Sequence, residues 1–166
     1  MKDYRTIIVG TDGSALAEPT VGRAAWLAKH DDADLVIVCA YAQLSRRTEA
    51  KNVATLGGDS RTGQVLGREA ASVALAEAMR VATAEGATVA AALLIDGDPS
   101  TALVVTAEDR SADLIVLGAL HDRSLADRVL GWTATEVTKR ARCDVLIVRP
   151  EYDQGDLAVP EDAPAE

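Results

Sequence analysis

Five short apolar runs punctuate this chain, and between them the apolar residues recur every three or four positions. Thr6-Ile-Ile-Val-Gly10 is the first run and ends in the turn signal Thr11-Asp12-Gly13-Ser14. Asp34 to Tyr41 (DLVIVCAY), Thr88 to Ile95, Leu114 to Leu117 and Val145 to Val148 are the others, with Pro150 stopping the last. Continuous apolar runs of this length predict strands buried on both faces. Ala17, Val21, Ala24, Ala25 and Ala28 share one helical face, as do Ala71, Leu75, Ala78, Met79 and Ala82, with Gly86 a stop. Asp98-Pro99 predicts a helix start, Asp98 as the cap and Pro99 in the first turn, over roughly 99–109. Ala134, Val137, Thr138 and Ala141 mark a last helix opened by Gly131.

Strands alternating with helices predict an α/β fold: one parallel sheet of five strands with helices on both faces. Residues 42–63 break the rhythm and carry Gly57, Gly58 and Gly63, and a connection this long is usually a functional or a mobile loop. Residues 1–150 are read as one domain and 151–166 as an acidic, disordered tail.

Composition narrows the partners. The chain has 166 residues, no Phe and a formal charge of −9. Six acids and no Lys or Arg fall in 151–166, which leaves the body at −3. A mildly acidic body carries no electrostatic footprint for nucleic acid. Cys39 and Cys143, the two cysteines, make neither a metal cluster nor a disulfide framework and read as buried thiols of a reducing compartment. No run reaches the ~20 apolar residues of a membrane span, and the first ten residues lack a secretory h-region. A cytoplasmic protein is expected.

In open parallel sheets ligands bind beyond the carboxyl ends of the strands, where strand order reverses. Thr11, Asp12 and Gly13 follow the first strand. Asp12 has two readings: a carboxylate for ribose hydroxyls or a bound Mg²⁺, or a cap on the first helix. Gly118 ends the fourth strand and Gly131 opens the last helix, whose first amides and dipole favour a phosphate. Thr133 adds a hydroxyl.

Asp113 to Pro150 carries a family resemblance. Gly118-Ala-Leu-His121, nine residues, Gly131-Trp132 and Cys143-Asp-Val-Leu-Ile-Val-Arg149 follow the spacing G-x-x-G, nine residues, G-[S/T] and a last strand. With Asp12 and Gly97-Asp98-Pro99, this resembles the universal stress protein family over roughly residues 4–150. The resemblance implies a flavodoxin-like sheet of order 3-2-1-4-5 and a homodimer through Val145–Val148. It also implies a site for an adenine nucleotide (ATP, AMP or cyclic AMP, with Mg²⁺ accompanying ATP) at Asp12, Ala40 or Tyr41, Gly118 and Gly131. Two positions depart from the pattern: His121 stands for a glycine, and Trp132 for a Ser or Thr. In one reading His121 donates to a phosphate and Trp132 stacks on a base or turns outward. In the other the pair closes the site, and the protein is a dimeric interaction module. A slow ATP hydrolase is the least supported reading, since no base or nucleophile is evident.

Overall fold

The structure, a computed structural model, describes residues 3–43, 65–119 and 130–149. Its elements are β1 (Thr6–Gly10), α1 (Ala17–Asp31), β2 (Asp34–Ala42), β3 (Val65–Leu66), α2 (Arg68–Glu85), β4 (Thr88–Asp96), α3 (Pro99–Asp109), β5 (Leu114–Gly118), α4 (Trp132–Arg140) and β6 (Asp144–Val148).

The strands are parallel. β2 pairs with β1 from Asp34 to Val38 and with β4 on its other edge; β1 pairs with β5, and β5 with β6. Counting the five long strands in chain order, the sheet reads 3-2-1-4-5. The sixth strand, β3, departs from the five expected. Tyr41 pairs with both Val65 and Asp96, so β3 continues the edge of β2 that β1 occupies further down. Two residues are too few to register as a periodic signal.

α1 and α2 cover one face of the sheet, and α3 and α4 the other. Ile7, Ile8, Leu35, Ile37, Leu114 and Ile115 are wholly buried, each contributing about 1.5–3 kcal/mol. The predicted face of α1 is buried at Val21, Ala24, Ala25 and Ala28, while Ala17 is half-buried at one end. The stripe on α2 differs in one place. Ala74 and Val81 join the buried arc and Met79 turns out, 41% exposed. The arc is rotated toward α1, and Met79 falls just outside it.

The helix signals hold. Gly86 ends α2 with φ +83°, its N–H donating to the Ala82 and Thr83 carbonyls. Asp98 caps α3 by accepting from the Thr101 N–H at 2.8 Å, with Pro99 as the first helical residue. The long segment 44–64, His121 and the tail lie outside the described residues.

Candidate functional site

β1 is where the chain reverses direction across the sheet: it winds outward through β2 to β4, then returns to β5 and β6. A cleft opens at the carboxyl ends of β1 and β5. The Thr11 N–H, bonded to the Val38 carbonyl at 2.9 Å, fixes how the chain leaves β1. Thr11, Asp12, Gly118, Gly131, Trp132 and Thr133 all line the cleft, with Ala40 on its apolar floor. Sequences 80 to 120 residues apart are thus brought together by the topology alone.

Alternation along β2 decides between Ala40 and Tyr41. Ala40 packs with the core under α3 and α4, whereas Tyr41 belongs to the core under α1 and α2 and does not line the cleft. The Tyr41 hydroxyl accepts from Arg68 Nη1 at 3.2 Å, and the guanidinium stands 6.0 Å from its ring centre. Gly13 also stays out of the cleft. Its φ of +71° makes the turn, and a Cβ there would stand 3.0 Å from Ala74 Cβ. His121 lies outside the described residues.

Asp12 does not cap α1. Its Oδ1 accepts from the Ser14 N–H at 2.9 Å, which fixes the turn, while α1 starts after Leu16 with no side-chain cap. The carboxylate lines the cleft. Behind it, burial pushes the Cys39 thiol up to about 12, helped by the Asp12 charge, so Cys39 is a core residue with no thiolate chemistry near neutrality.

Gly131 is the N-cap of α4 and supplies no side-chain oxygen to the first-turn amides. That leaves the end of α4 suited to an anion. Trp132, the first residue of α4, is 60% exposed at the mouth of the cleft and does not plug it. The cleft encloses about 110 Å³, below the ~300–1,000 Å³ usual for small-molecule sites, so a nucleotide would lie partly at its mouth beside Trp132.

The sequence did not point to Leu16, Thr20, Pro99 or Leu103, which complete the walls. They come from the first turns of α1 and α3, and only the packing of helices on the sheet carries them here. Among the described residues Asp12 is the one carboxylate on the cleft. Among the described residues no group of three His, Cys, Asp or Glu side chains could hold a metal ion. A Mg²⁺ ion arriving with ATP would find Asp12 and the phosphates themselves as ligands. No described helix is long and apolar enough to cross a membrane.

The geometry has counterparts. Residues 3–149 match the universal stress protein family. The chain belongs to that family. Universal stress protein Rv1636 of Mycobacterium tuberculosis is 37% identical over 148 residues, spanning 89% of this chain and 98% of that protein. The crystal structure of a universal stress protein in complex with cAMP is 32% identical, covers 89% of this chain and 98% of that one, and superposes with a TM-score of 0.65. A universal stress protein from Archaeoglobus fulgidus, 23% identical with a TM-score of 0.65 over 87% of this chain and 98% of that one, shares the fold. The universal stress protein fold and the helix-on-both-faces sheet agree with the pattern read from the sequence.

Proposed function

We propose that this universal stress protein is a regulatory protein that holds an adenine nucleotide in the cleft between β1, β5 and α4. The observation that carries this reading is the convergence of Asp12, Gly118 and the Gly131 start of α4 on one cleft at the sheet's reversal point. The relative in complex with cAMP, alike over most of both chains, supports it. In this reading Asp12 takes the ribose, Val38 and Ala40 pack under the base, and the Gly131–Thr133 turn takes phosphate.

Cyclic AMP fits these residues better than ATP. A single phosphate needs only the α4 end, whereas a triphosphate must pass Trp132, where the family pattern has a small hydroxyl residue. AMP lies between the two, and ATP would bring its own Mg²⁺. Asp12, Gly118 and the start of α4 are groups suited to holding a nucleotide, and we read the cleft as a binding site.

Among the described residues β6 pairs only with β5, and Val145 to Val148 are half-buried, an apolar edge suited to pairing with a second copy. We place the homodimer there, and a cytoplasmic setting agrees with the two reduced cysteines. The second reading, a dimeric interaction module without nucleotide, is separated from the first by calorimetry. Titration with cyclic AMP, AMP and ATP should give saturable heat, strongest with cyclic AMP. No heat from any of them, at protein well above micromolar concentration, leaves the interaction module.

A further inference from the structure

α4 supplies part of the cleft wall, yet it is lightly anchored. It has nine residues and buries two side chains, Ala134 and Val137. Both pack into the core that holds Leu103 of α3. An element with so few buried apolar contacts is easily displaced, and two small contacts one turn apart leave a short helix able to pivot about them. The direction of that pivot matters to the cleft. Gly131, Trp132 and Thr133 line it from one end of α4, and Pro99 and Leu103 line it from α3.

The other end of α4 carries a polar tie. Arg140 Nη1 donates to Thr101 Oγ1 at 3.1 Å and to Ser100 Oγ at 3.4 Å, both in the first turn of α3. That turn is itself well held. Ser100 is 2% exposed, and its hydroxyl donates to Asp98 Oδ2 at 2.5 Å. The same carboxylate oxygen accepts from the Thr101 N–H at 2.8 Å. Pro99, between Asp98 and Ser100, is the residue that reaches the cleft. Arg140 therefore grips the capped start of α3, while the opposite end of α4, about 13 Å away along the helix, meets the cleft. Arg142 makes a useful contrast. It pairs with Glu108 at 3.5 Å, seven residues beyond Thr101 on α3, and both side chains are exposed. A pair of that kind contributes little.

We propose that Arg140 is a positioning residue for the nucleotide cleft: its bonds to Thr101 and Ser100 fix the angle of α4 against α3, and with it the place of the Gly131–Thr133 turn relative to Pro99. The effect on affinity rests on the cleft being a nucleotide site; the effect on α4 does not. Arginine suits the task, because its planar fork holds its donors in fixed directions where a lysine ammonium rotates.

NMR and calorimetry on Arg140→Ala, Arg140→Met, Arg140→Lys and Arg142→Ala test it. Without nucleotide, the amide signals of Gly131 and Thr133 and the indole signal of Trp132 should move in Arg140→Ala. They should move equally in Arg140→Met, which keeps the apolar stem and loses the donors. They should stay in place in Arg142→Ala. Cyclic AMP affinity should fall several-fold in the Ala and Met variants, with Arg140→Lys between them and wild type and melting points little changed. Cleft signals unmoved in Arg140→Met would overturn the proposal. Equal shifts from Arg142→Ala would overturn it as well, by tracing the effect to charge alone, and shifted signals with unchanged affinity would reduce Arg140 to a structural contact. No heat from any adenine nucleotide with the wild type would instead defeat the nucleotide assignment of the cleft, and the ligand-free spectra would still decide whether Arg140 sets α4.

Discussion

Thr20 Oγ1 lies 3.0 Å from where a Cβ on Gly118 would stand, and Leu16 Cδ2 lies equally close on the same side. Thr20 cannot simply turn away, because its hydroxyl donates to the Leu16 carbonyl at 2.6 Å. Gly118 is therefore required by the packing of α1 on β5. Gly118→Ala should cost about 1–3 kcal/mol of stability, the usual range for overpacking. Chemical denaturation measures it; an unchanged midpoint would show that α1 gives way freely.

Tyr41 supports the site's surroundings without touching the cleft. Its hydroxyl is held by Arg68 at the start of α2. Tyr41→Phe should lower stability by about 0.5–1.5 kcal/mol and leave cyclic AMP affinity as it was. A tenfold loss of affinity with the fold intact would place Tyr41 in the site.

Asp98 gives the fold an acid-sensitive joint. Burial pushes its carboxyl up, but hydrogen bonds from the Ser100 hydroxyl and the Thr101 N–H, with the Arg140 charge nearby, hold it below the ordinary value of 3.8. A group depressed in the folded state adds stability above its unfolded pKa, and that stability is lost as pH falls through the folded value. Thermal melts should show the loss beginning below about pH 4. Asp98→Ala should cost about 0.5–2 kcal/mol at pH 7, and the gap from wild type should narrow in acid. A gap constant down to pH 2 would argue against the assignment.

The account of Trp132 is tested by exchange for the family's small hydroxyl residue. Trp132→Ser should raise ATP affinity and change cyclic AMP affinity less, since only the triphosphate must pass the indole. Calorimetry of the two ligands reads the ratio directly. An unchanged ratio would mean that Trp132, 60% exposed, already stands clear of both.

Much of this architecture is legible in the chain because its signals are local. Thr6 to Gly10 is apolar enough to be a buried strand at first reading, and Asp98-Pro99 announces α3 to the residue. What was not legible depends on partners far away in sequence. The two residues of β3 acquire their strand character only from Tyr41 and Ala42. Met79 sits on the predicted stripe, yet α1 pulls the buried arc of α2 past it. Trp26 is 52% exposed and stacks on His30 at 5.5 Å. In the cleft, Asp12, Gly118 and Gly131 were readable because strand ends and helix starts mark them. Leu16, Thr20, Pro99 and Leu103 were not, because ordinary core residues become walls only when two helices are laid on the sheet.

The most direct measurement is an amide NMR map of the protein with and without saturating cyclic AMP. The account predicts perturbations concentrated at Thr11, Asp12, Ala40, Gly118 and Gly131 to Thr133, with Tyr41 and the β4 edge quiet. A spectrum unchanged by cyclic AMP, or one whose changes gather away from the ends of β1 and β5, would contradict it.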